Sequence, residues 1–110
     1  MPSTLNAHRG EAALTLGGNT YRLRPSFSAL VRVEEELGSL IALVERAGSG
    51  ALGLKDIVVL LHACALAGGH DISRDDFAAA LLKEGITTSI KPLRDILAAV
   101  MGTDDGDETD

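Results

Sequence analysis

From residue 13 to residue 24 apolar and polar side chains alternate: Leu14 and Leu16 precede a Gly17-Gly18-Asn19 turn, and Tyr21 and Leu23 follow it. A period of two on both sides of a glycine-rich turn predicts a β-hairpin with one buried face. With Gly18 and Asn19 as the central turn residues, Leu16 pairs with Tyr21, Thr15 with Arg22 and Leu14 with Leu23. A slip of one residue would set Leu14 and Leu16 opposite Arg22 and Arg24, so burial opposes it. Two strands alone are marginal in water, and the ribbon must lie on helices or extend a sheet in another subunit.

Beyond Pro25 the period becomes helical. Ser26 can cap a helix that carries Phe27, Leu30, Val31 and Leu37 on its inner side and Glu34, Glu35 and Glu36 on its wet side. Gly38 interrupts it and Ser39 can restart it through Leu40, Ile41, Leu43, Val44 and Ala47, as one kinked helix or as two. The run Gly48-Ser49-Gly50-Ala51-Leu52-Gly53 reads as a loop flexible enough to act as a hinge. Leu54 to Ala67 is the least polar stretch. Leu54, Ile57, Val58, Leu61, Cys64 and Ala65 form one stripe, and Val59, Leu60, Ala63, Leu66 and Ala67 a second, so this helix is either central or half committed to a partner. Gly68-Gly69 ends it. Ser73 caps the next helix, with Asp75 and Asp76 in its first turn and Phe77, Ala80 and Leu81 facing inward; Gly85 stops it. A short link at Ile86 to Ser89 leads to a last helix from Ile90, with Pro92 in its first turn and Leu93, Leu97, Val100 and Met101 on one face. The expected fold is α+β and mostly helical: an N-terminal hairpin and four or five short helices in one domain over 8–102, with a flexible arm at 1–7 and a disordered acidic tail at 103–110.

Composition adjusts this picture in three ways. A chain of 110 residues is one small domain, able to bury about 65% of its extended surface without staples. Only Tyr21, Phe27 and Phe77 are aromatic, so aliphatic and alanine packing must fill the core. The net charge of −6 is concentrated in Asp104, Asp105, Asp107, Glu108 and Asp110, which leaves about −1 for the body. The single Cys64 precludes an internal disulfide and fits a reducing compartment, so a cytoplasmic location is expected. Lys55, Asp56 and His62 interrupt the longest apolar run, so no membrane span is expected.

Candidate chemistry is sparse. His62 and Cys64 are two residues apart on a helix, about 200° around it, and cannot both face one ion. Asp71, Ser73 and Asp75 resemble the opening of a calcium loop, but the sixth and twelfth positions hold Asp76 and Leu82 in place of glycine and glutamate. Three consecutive glutamates fan around a helix with no apolar pocket to raise one pKa. Phosphate cradles and nucleophile elbows are absent. Arg9, Arg22, Arg24 and Arg32 cluster in the first third of an acidic chain and lack a stacking pair of aromatics, so nucleic-acid binding is not expected. Neither catalysis nor a metal or cofactor has support.

The order of motifs carries a resemblance. His8-Arg9-Gly10-Glu11, then Tyr21, Arg24-Pro25-Ser26-Phe27, then Leu30, Glu34-Glu35, Leu37 and Gly38 resemble the gene-transfer-agent and phage-tail protein family over roughly residues 6 to 101. Its members are described as tail tube associated proteins or tail assembly chaperones. The acidic extension after Gly102 departs from that pattern. The resemblance implies a tail assembly protein of a prophage or gene transfer agent. A chaperone of this kind would hold the long apolar tape measure protein in solution while tube subunits polymerise around it. The tail tube protein is a further possible partner, and self-association is possible. A tube subunit itself needs large sheets that close a ring, whereas one hairpin is predicted here. On the chaperone reading the candidate partner stripe is Val59, Leu60, Ala63 and Leu66, offered to a partner helix. The alternatives are a minor structural component of the tail and a small adaptor.

Overall fold

The computed structural model describes residues 11–102; the expected arm at 1–7 and acidic tail at 103–110 lie outside the described residues. Strands β1 (Ala12–Leu16) and β2 (Asn19–Leu23) pair antiparallel, followed by helices α1 (Phe27–Leu37), α2 (Leu40–Gly48), α3 (Leu54–Ala67) and α4 (Arg74–Glu84). A 3-10 turn at Ile86–Ser89 leads into α5 (Ile90–Met101). The architecture is the expected hairpin with five helices, and α1 and α2 are separate.

The hairpin register differs from the expected one. Leu16 pairs with Asn19, Leu14 with Tyr21 and Ala12 with Leu23, so the turn is centred on Gly17-Gly18. Both glycines have positive φ, 57° and 84°. A two-residue turn matched to strand twist needs positive φ at both centres, which two glycines supply more readily than glycine and asparagine. Moving the turn by one residue preserves which side chains share a face, so burial could not tell the two registers apart. Ala12, Leu14, Leu16 and Leu23 are buried in either, and Thr15 and Thr20 join hydroxyls at 2.9 Å on the open face.

Serine caps start three helices: the side chains of Ser26, Ser39 and Ser73 accept from the backbone N–H of Ala29, Ala42 and Asp76. The inner side of α1 is only partly the expected one: Leu30 and Leu37 pack against the core, but Phe27 does not. Phe27 is 84% exposed, and Ala29 and Val33 are the buried pair. The small Ala29 side chain lets α1 approach α3 closely, and Phe27, in the first turn, is left outside that contact.

Helix α3 is the centre of the molecule. Every residue from Val58 to Ala65 is buried, with α1, β2 and α4 packed around it. Its carboxyl end receives β2: the Arg24 N–H donates to the Cys64 carbonyl at 2.9 Å, and Gly68 lies so close that an added Cβ would be 2.0 Å from the Arg22 carbonyl oxygen. The Arg22 N–H donates to His70 Nε2 at 2.8 Å. Alternate N–H groups of β2 point away from β1, and two of these, at Arg22 and Arg24, are taken up by α3 and the segment behind it. At the other end of α3, Arg46 makes two bonds to the Asp56 carboxylate, at 2.8 and 3.3 Å, and ties together the ends of the loop read as a hinge.

A candidate partner-binding groove

Helix α5 has two apolar sides. Pro92 and Ile96 turn into the core, whereas Ile90, Leu93, Leu97 and Met101, spaced three and four residues apart, line its other side. Helix α2 repeats the arrangement: Leu43 is fully buried, and Val44 and Ala47 face toward α5. Between these helices, floored by Leu52 and Ile57, runs a groove of about 680 Å³. Its rim is apolar and open, with Ile86, Ile90 and Met101 38%, 49% and 46% exposed. Arg94 is the one charged residue lining it, and forms no ion pair with the described residues. Several large aliphatic side chains exposed together along one concavity are the mark of an interaction surface.

The stripe expected from the sequence lies elsewhere and is mostly interior. Leu60 is fully buried, Val59 is 2% exposed and Ala63 9%, so of the two placements open from the sequence, central or half committed to a partner, these three residues take the central one. The physical reason is that α1 covers one side of α3 while β2 and α4 cover the rest. Ala63 and the half-buried Leu66 reach a shallow groove of about 320 Å³ beside α1, but Arg24, Ser26, Ser28 and Arg32 make that groove polar. A neighbouring depression of about 390 Å³ also touches Val59, Ala63 and Leu66, and the Arg74–Glu36 pair, at 2.7 Å, borders it. The α2–α5 groove was missed because its walls come from segments far apart in the chain. The spacing of Ile86, Ile90, Leu93 and Met101 was its one local signal.

The polar residues singled out in the sequence have structural work. His62 Nε2 donates to the Ile72 carbonyl at 2.7 Å, and His70 accepts from Arg22, so the two rings bond to different partners. Cys64 is buried and its thiol is pushed up to about 12 by desolvation, which keeps it an unreactive core residue. Ser73 is a cap. Glu34 accepts from the Leu40 N–H at 2.9 Å, and Glu36 is gripped by both guanidinium nitrogens of Arg74, whose bonds hold its carboxyl below the ordinary range. Among the described residues no group of three or more His, Cys, Asp or Glu side chains is placed to hold a metal ion, and no helix is long and apolar enough to cross a membrane.

The described residues thus form a small helical domain with a sheet of two strands and an open apolar groove. The family model described as "Phage tail tube protein, GTA-gp10" matches residues 9–103, a span that includes every described residue, and the protein belongs to that family. It is therefore a phage-tail or gene-transfer-agent tail protein. No curated protein and no solved structure matches it significantly.

Proposed function

We propose that this chain is a tail assembly chaperone that holds an apolar helical segment of the tape measure protein in the groove between α2 and α5. The observation that carries the reading is the groove itself: one concavity, aliphatic along both walls and open to solvent. A helix that lays an apolar stripe into such a groove gains burial on both sides, and the partner is kept from aggregating. The hairpin supports this reading over a role as a tube wall. A wall built by sheet pairing between subunits needs a free strand edge, and the outward N–H groups of Arg22 in β2 and of Arg24 just after it are engaged within the fold. The site of action would be the cytoplasm of the bacterial host, before the tail is complete.

The test is co-expression with a tape measure protein. Ile90→Glu places a carboxylate on the exposed rim at little cost to the fold, since Ile90 is half exposed. The variant should keep its helical circular dichroism and thermal midpoint while the tape measure protein passes to the insoluble fraction. A folded variant that solubilises the partner as well as the unmodified chain would remove the groove from the mechanism. A protein that fails to solubilise the tape measure even unmodified, yet co-purifies with assembled tails, would be the structural component described by the alternative reading.

A further inference from the structure

Resting on that reading, we propose that the helix held in the α2–α5 groove carries an aspartate or glutamate within its apolar stripe, and that Arg94 recognises it. Toward the groove α5 shows Ile90, Leu93, Arg94, Leu97, Ala98 and Met101, a stripe of helical spacing in which Arg94 stands near the middle. Ile90 lies one turn before it and Ala98 one turn after. At 12 residues α5 is about 18 Å long, so a partner helix laid along it makes about three turns of contact. Such a partner passes over Arg94.

The charge of the site fixes the sign of that partner residue. Arg94 is the one charged residue in the lining, no carboxylate lines the groove, and Arg94 makes no ion pair with the described residues. Lys91 and Asp95, on either side of it in sequence, pair with each other at 2.9 Å and cancel. A partner with an uninterrupted apolar stripe would take water from the guanidinium and return nothing, so Arg94 would have to extend its head out to solvent. A lysine at the facing position would set two cations together against an apolar surround. A carboxylate there accepts up to two N–H bonds from the planar guanidinium, while its neighbours along the stripe still bury their aliphatic side chains. The groove thus supplies affinity, and Arg94 supplies register and discrimination.

The experiment uses the full-length chain and its variants Arg94→Gln, Arg94→Glu and Ile90→Gln, with binding followed by fluorescence anisotropy. The probes are two labelled synthetic amphipathic helices with the same leucine stripe, which differ only at a central stripe position, glutamate in one and lysine in the other. Both lose the same apolar group there, so the difference between them reports charge. The unmodified chain should bind the glutamate peptide about tenfold tighter at low salt, and the difference should shrink as salt screens it. Arg94→Gln should make the two equal and Arg94→Glu should reverse their order, both at an unchanged melting temperature because Arg94 is exposed. Ile90→Gln, which adds no charge, should weaken both peptides alike. Equal affinity of the unmodified chain for the two peptides, or a preference that survives Arg94→Gln, would overturn the inference and leave the groove reading intact. Binding of neither peptide, or unimpaired binding by Ile90→Gln, would overturn the groove reading and the inference with it. A chain that is dimeric by sedimentation and takes up peptide only on dilution would give the groove to a second copy and overturn both.

Discussion

Gly68 stands where the end of α3 meets β2, and a methyl group there would press on the Arg22 carbonyl at 2.0 Å. Its φ of −79° is open to any residue, so the requirement is space and not backbone freedom. Gly68→Ala should force the strand from the helix and lower stability by about 2 kcal/mol, the usual scale of overpacking. A fall in the urea midpoint at unchanged slope measures it. Gly48→Ala is the control, because a methyl group there would meet nothing within 4 Å and its φ is ordinary, and it should change stability by less than about 0.5 kcal/mol. The glycine pair was legible as a helix stop. The reason for the first of the two was not, because its neighbour Arg22 is 46 residues away in sequence.

At the scale of elements, the loop between α2 and α3 is held by a single carboxylate. Asp56 accepts from Arg46 and from the Gly53 N–H at 2.8 Å, and the Arg46 bond is the main cause that holds its pKa below the ordinary value. Asp56→Ala should cost about 1 kcal/mol, a figure kept small because Arg46 is 40% exposed and water screens the pair. A depressed folded pKa stabilises above the unfolded value and loses that stabilisation as pH falls through the folded one. The gap in thermal midpoint between the native chain and Asp56→Ala should therefore be full at neutral pH and shrink below about pH 4. A gap independent of pH would show that the carboxylate charge contributes nothing. The hairpin is the second lesson at this scale: alternation fixed the buried face, but only the need for positive φ at Gly17 and Gly18 fixed the register.

For the molecule as a whole, the central question in the sequence was whether the second stripe of α3 is core or surface. Leu60 is fully buried and Val59 and Ala63 nearly so, while Leu66 and Ala67 are half-buried, so most of the stripe belongs to the core. Leu60→Asp should unfold the protein, since an unpaired buried carboxylate costs several kcal/mol of the roughly 5–15 kcal/mol that holds a domain together. Loss of the cooperative thermal transition by circular dichroism is the expected result. A folded Leu60→Asp chain would mean that the helix can turn this stripe outward. Open apolar surface is found instead where α2 and α5 present second faces to each other, at Ile86, Ile90 and Met101.

The sequence by itself determined the order and ends of the elements, the three serine caps and the hairpin, because those depend on interactions within a few residues. It also carried the family, through the order of short motifs from His8 to Gly38. The inward Phe77 and Leu81 of α4 were legible in its pattern, but tertiary structure alone decided which sides of α1 and α3 are inside. Burial is driven by area and has no direction of its own, so a helix as uniformly apolar as α3 does not announce its outer face, and α1 turned Ala29 and Val33 inward in place of Phe27. The groove is the clearest case: its walls come from Val44 through Met101, and no local pattern joins residues that only folding brings together.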